Sequence, residues 1–155
     1  MILESHSVLV VEDEYLVADE IVEMLEERGA RVLGPVQSPM QALESIARRM
    51  PDAAVLDINL RGEPVYPVAD ALAAAGVPFI FVTGYDQWVL PARYADVLRC
   101  EKPVEPAMLA KTLMGALAGA RETRAATSES VSAAEPSVVS GYTASATPRR
   151  AGARA

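Results

Sequence analysis

A single cysteine and a single histidine stand among 155 residues. Cys100 alone can form no internal disulfide, and its apolar neighbours mark it as a buried, inert thiol. His6 precedes the first apolar run, which argues against a histidine-based catalytic triad and against a multi-histidine metal site. Any metal is then a hard cation held by oxygen ligands. No apolar run approaches the roughly 18 residues of a membrane span. The opening Met1-Ile2-Leu3-Glu4-Ser5-His6 lacks the basic flank and cleavage region of a signal peptide. A cytoplasmic protein without a membrane partner is expected. Positive charge is scarce as well, with a formal net charge of −7. That balance disfavours nucleic acid and anionic lipid, and suits a chain whose partners are proteins.

What is present is a series of short apolar strands, each ending in polar chemistry. Ser7-Val8-Leu9-Val10-Val11 ends in Glu12-Asp13-Glu14. A helix over about 14–28 follows, with Val17, Ile21, Met24 and Leu25 on one face and Gly29 closing it. Arg31 to Val36 is a weaker strand, and its Gly34-Pro35 suits an edge. Ser38-Pro39-Met40-Gln41 reads as an N-cap, a first-turn proline and a capping box. The helix it opens buries Ala42, Leu43, Ile46 and Ala47 and stops by Pro51. Ala53 to Leu56 is a strand buried on both faces that breaks into Asp57-Ile58-Asn59.

Arg61 to Pro64 reads as a loop into a helix over about 65–75, ended by Gly76. Val77 to Val82 leads to Thr83-Gly84-Tyr85, and a short helix is expected over 87–90. Val97 to Cys100 leads to Glu101-Lys102-Pro103. A last helix carries Leu109, Leu113 and Leu117 inward. One domain over 1–121 is expected, with a disordered tail over 122–155, where serine, threonine, alanine and proline dominate without period. Strand–helix alternation implies a parallel sheet covered on both faces.

Ligands of such sheets gather at the C-terminal ends of the strands. Glu12 and Asp13, Asp57, Thr83 and Lys102 all stand at such ends. Each has an ordinary reading alone: acids at a helix N-terminus, a strand-end hydroxyl, an exposed lysine turn. Together they make one site. Three carboxylates at one rim raise one another's pKa, and a divalent cation relieves them. Mg²⁺ fits two or three carboxylates plus a phosphoryl oxygen. With Lys102 and Thr83 opposite, the pocket neutralises a transferring phosphoryl group, and Asp57 is the candidate nucleophile.

Val8-Leu9-Val10-Val11-Glu12-Asp13, Val55-Leu56-Asp57, Val82-Thr83-Gly84 and Lys102-Pro103, as a set, resemble the receiver domain of two-component response regulators. The resemblance covers about residues 7–118. It implies a flavodoxin-like sheet of order 2-1-3-4-5. It implies that Asp57 accepts phosphate from a histidine kinase or histidine phosphotransfer protein. It also implies Mg²⁺ on Asp13 and Asp57, on the backbone carbonyl of Asn59, and on Glu12 mainly through water. Lys102 would pair with the phosphoryl group, Thr83 would hydrogen-bond it, and the peptide before Pro103 would be cis. With no effector pattern following, the chain looks like a stand-alone receiver. Pro78-Phe79, then Thr83-Gly84-Tyr85, resemble an alphaproteobacterial subgroup, some of whose members act in general stress signalling.

Two positions depart from the family. Arg99 stands where a switching aromatic is usual, with Tyr85 as a substitute or a plain surface tyrosine. Val104 replaces a common phenylalanine. A downstream protein partner is expected to read residues 85–118. The favoured function is a phosphorylated switch, or a sink that drains a shared kinase. A constitutive, phosphate-independent interaction module is one alternative. A Mg²⁺-dependent aspartyl-phosphate phosphohydrolase is another. Asn59 argues against the last, because it cannot move protons where such enzymes place a second aspartate.

Overall fold

The computed structural model describes residues 3–84 and 90–132. The chain runs β1 (Ser7–Val11), α1 (Tyr15–Glu27), β2 (Arg31–Val36), α2 (Pro39–Arg48), β3 (Ala53–Asp57), β4 (Asn59–Leu60), β5 (Glu63–Pro64), α3 (Tyr66–Ala74), β6 (Phe79–Thr83), a 3-10 turn (Ala92–Tyr94), β7 (Arg99–Glu101) and α4 (Pro106–Ser132). The main sheet has the order β2-β1-β3-β6-β7, with every pair parallel. Counting only its strands, this is the flavodoxin-like order 2-1-3-4-5. The chain leaves β1 toward β2 and returns to the other side of β1 as β3. The reversal opens a crevice beyond the C-terminal ends of β1 and β3.

Period-two alternation divides the core. Leu9, Val11, Leu56 and Phe81 pack with Ala42 and Ile46 of α2 and with Val68 and Leu72 of α3. Val8, Val10, Val55, Ile80 and Val82 pack on the other face with Ile21 and Leu25 of α1 and with Leu109 and Leu113 of α4. Each such side chain contributes about 1.5–3 kcal/mol on burial. The central strands β1 and β3 are buried at every residue, as continuous apolar runs demand.

Local signals act much as the residues dictate. Ser38 caps α2 by accepting from the Gln41 N–H at 3.2 Å. Gln41 reaches back one residue further than a capping box requires and accepts from the Gln37 N–H at 2.9 Å. Gly34 sits at φ +92, where a Cβ would lie 2.8 Å from the Val36 nitrogen and 2.9 Å from the Val10 carbonyl oxygen. That tight approach accompanies a register shift between β1 and β2, between Leu9 and Val11. The edge strand is thus bulged. Both Gly34–Pro35 and Lys102–Pro103 are cis peptides.

Several expectations need correction. Leu43 and Ala47 are exposed, because α2 seats only Ala42 and Ile46 as its deep contacts. The stretch Arg61 to Pro64 belongs to an antiparallel ribbon of β4 and β5. Its turn residues Arg61 and Gly62 have φ of 52 and 86, the signature of a type I′ hairpin. The last sheet strand begins at Arg99 rather than Val97. Helix α4 runs to Ser132, past the expected change of character at residue 122. The remainder of the expected tail, 133–155, lies outside the described residues. So does Tyr85, and with it 87–89 of the expected short helix. Among the described residues no helix is long and apolar enough to cross a membrane.

Candidate functional site

Each strand end delivers one part of the site. Glu12 follows β1, and its N–H donates to the Val36 carbonyl at 3.0 Å, which fixes the turn out of the strand. Asp57 is the last residue of β3. Thr83 is the last residue of β6, half-buried, and its carbonyl accepts the Lys102 N–H at 2.8 Å. That backbone bond sets the Lys102 side chain toward the acids. The Lys102 ammonium donates to Glu12 Oε1 at 3.1 Å, to Asp57 Oδ2 at 3.2 Å and to Glu14 Oε1 at 3.4 Å.

Glu12 and Asp57 are the only buried carboxylates among the described residues, at 1% and 5% exposure. Ligand oxygens of Glu12, Asp13 and Asp57 all lie within 4.8 Å of one another. Burial, with Asp57 next to it, pushes the Glu12 carboxyl up to about 8 despite Lys102 and the Glu14 N–H. Burial also raises Asp57, against the opposing pull of Lys102 and of hydrogen bonds from its neighbours. Partial burial would lower Lys102, but the carboxylates of Asp57 and Glu12 outweigh it and hold the ammonium above its ordinary value. One ammonium is too little charge for this many acids.

Asn59 contributes through its main chain. Its N–H donates to Asp57 Oδ1 at 3.3 Å, while its side chain accepts the Gly62 N–H at 2.7 Å and closes the ribbon turn. With the side chain committed to the turn, any ligand Asn59 offers is its backbone carbonyl. From the same turn Arg61 reaches to 3.9 Å from Asp13 Oδ2.

The donor set fits a hard divalent cation. Glu12 Oε2 is buried and has no hydrogen-bond partner. The neighbouring oxygens are carboxylates, and no nitrogen or sulfur ligand competes in the cluster. The structure therefore brings Glu12, Asp13, Asp57 and Lys102 together by side chain, and Thr83 and Asn59 by backbone. Glu14 and Arg61, which carry no motif signal of their own, also reach this group. A polar residue flanking a strand-end acid was the available signal, and it is a weak one.

Arg99 lies exposed on β7, so no aromatic ring occupies that place. The sheet neighbour of Arg99, Phe81, is fully buried, and Tyr94 is buried too, at 3% exposure. Its ring stacks on Tyr66 at 5.8 Å and meets Phe79 and Phe81 edge-on at 6.0 and 5.7 Å. Its hydroxyl donates to Asp70, which Arg93 also holds at 2.9 Å.

The chain resembles known proteins in sequence and in fold. The chain is 34% identical over 110 residues to the sensory transduction protein LytT of Bacillus anthracis, covering 68% of this chain and 45% of LytT. It thus spans about half the length of the curated relatives it matches. Among solved structures, SdrG of Sphingomonas melonis Fr1 is 37% identical with a TM-score of 0.66, covering 76% of this chain and 98% of SdrG. SdrG in its BeF3-activated conformation matches at 38% identity and a TM-score of 0.62, over 72% of this chain and 95% of that one. The stress response regulator PhyR is 27% identical with a TM-score of 0.62, over 74% of this chain and 46% of PhyR. Residues 8–113 match the family described as the response regulator receiver domain. Receiver domains are signalling domains with a phosphoacceptor aspartate and an acidic pocket for Mg²⁺, and this chain belongs to that family.

Proposed function

We propose that this chain is a phosphoacceptor of a phosphorelay. Asp57 takes a phosphoryl group from a histidine kinase or histidine phosphotransfer protein, with Mg²⁺ on Asp13, Asp57, the Asn59 carbonyl and, mainly through water, Glu12. The observation that carries this reading is the Lys102 ammonium 3.2 Å from Asp57 Oδ2, beside three clustered carboxylates. A nucleophilic carboxylate, a fixed cation and an oxygen cage for a metal meet at the C-terminal edge of the sheet.

A carboxylate oxygen of Asp57 attacks phosphorus, and the P–N bond to the donor imidazole breaks. The electron pair of that bond stays on the departing nitrogen, which a proton completes. Mg²⁺, held by Asp13 and Asp57, would supply positive charge for the phosphoryl oxygens. Lys102 supplies a second positive charge by turning from Asp57 to the new phosphoryl oxygens. Thr83, at the mouth of β6, donates its hydroxyl to one of them. Burial of Glu12 and Asp57 keeps water from weakening these contacts.

The output surface we assign is the described part of 85–118. There Leu98, Met108 and Met114 stand exposed on β7's approach and on α4. A change in protein binding there needs only a few kcal/mol of bias between states. SdrG has a BeF3-activated conformation and PhyR is a stress response regulator. We assign this chain to the same kind of signalling, as a switch or as a sink for a shared kinase.

Intact-protein mass spectrometry after incubation with acetyl phosphate tests the chemistry. A gain of one phosphoryl group that needs Mg²⁺ and is lost in Asp57→Asn is the expected result. No gain, together with no binding of beryllium trifluoride, would leave a phosphate-independent interaction module as the better account.

A further inference from the structure

We propose that Glu14 is a specificity-determining residue that holds back free anionic phosphodonors; the inference rests on the phosphoacceptor reading of Asp57. Two observations carry it. Glu14 occupies the N-cap position of α1 yet makes no side-chain capping bond. Its carboxylate instead approaches the Lys102 ammonium at 3.4 Å and is largely exposed. Ser, Thr, Asp or Asn would cap this helix better. The side chain at this position is therefore engaged with the site rather than with the helix.

The consequence is electrostatic. Lys102 is the cation that must meet the incoming phosphoryl oxygens, and here three carboxylates share it. Two of them, Glu12 and Asp57, are buried and belong to the phosphoryl and metal site. Glu14 is the outer one, at the solvent side of the ammonium. A small donor arriving from solvent meets this negative charge before it meets Lys102. A protein donor whose docking surface is basic would offset Glu14, which a small anion in solution cannot do. The device thus lowers uptake from metabolite phosphates relative to uptake from a protein.

The test compares the wild-type protein with Glu14→Gln and Glu14→Asp, using two small donors in Mg²⁺ at low salt. Acetyl phosphate is a dianion and phosphoramidate a monoanion near neutral pH. Removing one negative charge from the approach speeds uptake of a donor in proportion to its charge on a logarithmic scale. Glu14→Gln should raise the phosphoramidate rate about threefold and the acetyl phosphate rate about tenfold. Both gains should vanish in 1 M salt, where screening acts over about 3 Å. Glu14→Asp keeps the charge and supplies a preferred cap, so it should stabilise α1 yet keep the wild-type ratio of donor rates.

Equal gains with both donors, gains that survive 1 M salt, or Glu14→Asp behaving as Glu14→Gln would each overturn the inference. Beryllium trifluoride, a monoanionic phosphoryl mimic, gives a second readout where donor rates are too low. Its affinity should tighten about threefold in Glu14→Gln; unchanged affinity overturns the inference. Wild-type protein that takes neither donor nor beryllium trifluoride would overturn the phosphoacceptor reading itself. Wild-type protein that takes them as well as Glu14→Gln does would overturn only the role of Glu14.

Discussion

The ammonium of Lys102 lies 3.1 Å from Oε1 of Glu12, a carboxylate that is 1% exposed. This pair joins residues 90 positions apart. The same ammonium holds the buried Asp57 carboxylate at 3.2 Å, and removing one partner of a buried ion pair leaves the other charge uncompensated, at a cost of about 3–5 kcal/mol. Lys102→Met should therefore lower stability by about that amount in metal-free buffer. Urea denaturation checks it. Mg²⁺ should return part of the loss, because it binds the native cluster and not the unfolded chain.

Stability should fall as pH rises in metal-free buffer. The folded protein holds the Glu12 carboxyl at about 8, against 4.5 for the free group. Between those values the native state keeps a proton that the unfolded state has lost, so ∂ΔG/∂pH is negative. The stabilising effect is full below about pH 4.5 and gone once pH passes about 8. Thermal midpoints from pH 5 to 8.5 should decline, and Glu12→Gln should flatten that decline.

Metal removal and Asp13 make a linked test. The rise in thermal midpoint given by saturating Mg²⁺ should grow as pH climbs through about 8, where Glu12 loses its proton and the cluster gains negative charge. Chelation should abolish the gain. Asp13→Asn removes one of the clustered oxygen ligands and should weaken Mg²⁺ by at least about tenfold in calorimetric titration. An unchanged affinity would separate the cluster from metal binding.

At the bulge, Gly34→Ala should destabilise by about 1–3 kcal/mol. A Cβ there meets backbone on two sides, below 3.0 Å, at a positive φ. Denaturant midpoints measure the loss.

Ending the chain after Arg121 should leave a folded, phosphorylatable domain. Leu109 and Leu113, the deepest α4 side chains, are retained. The truncation removes the hydrogen bond that the Arg124 guanidinium donates to the Gly76 carbonyl at 3.3 Å, worth about 1 kcal/mol. Circular dichroism should show fewer helical residues and a melting midpoint lower by about 3–5 °C.

The strand ends were legible because chemistry breaks composition there. Val8 to Val11 and Ala53 to Leu56 are apolar until a carboxylate stops them. A parallel sheet then brings such ends together whatever lies between. The contacts of Glu14 and Arg61 were not legible. Each depends on the reach of one long side chain across a gap set by the fold. Leu43 and Ala47 fit the helical stripe of α2 as well as Ala42 and Ile46 do, but only a narrow seam of that helix meets the sheet and α3. The C-terminal half of α4 is hidden for the opposite reason. It has helix-forming residues without an apolar stripe, and the stripe is what marks a packed helix in a sequence.

Ser7 and Asp52 lock the entrances of β1 and β3: the Asp52 carboxylate accepts the Ser7 N–H at 2.8 Å, and the Ser7 hydroxyl accepts the Asp52 N–H at 3.1 Å. These two strands are the interior of the sheet, and their pairing closes a long stretch of chain that includes two helices and an edge strand. Their amides should meet solvent deuterium only when the whole domain opens, whereas those of the edge strands β2 and β7 should exchange by local fraying. Asp57, the last residue of β3, should therefore ride on the slowest-exchanging part of the molecule. On the phosphoacceptor reading, the Asp57 carboxylate should keep its position while the edge strands fray, so the residence time of a phosphoryl group should follow the side chains around Asp57 and not breathing of β3.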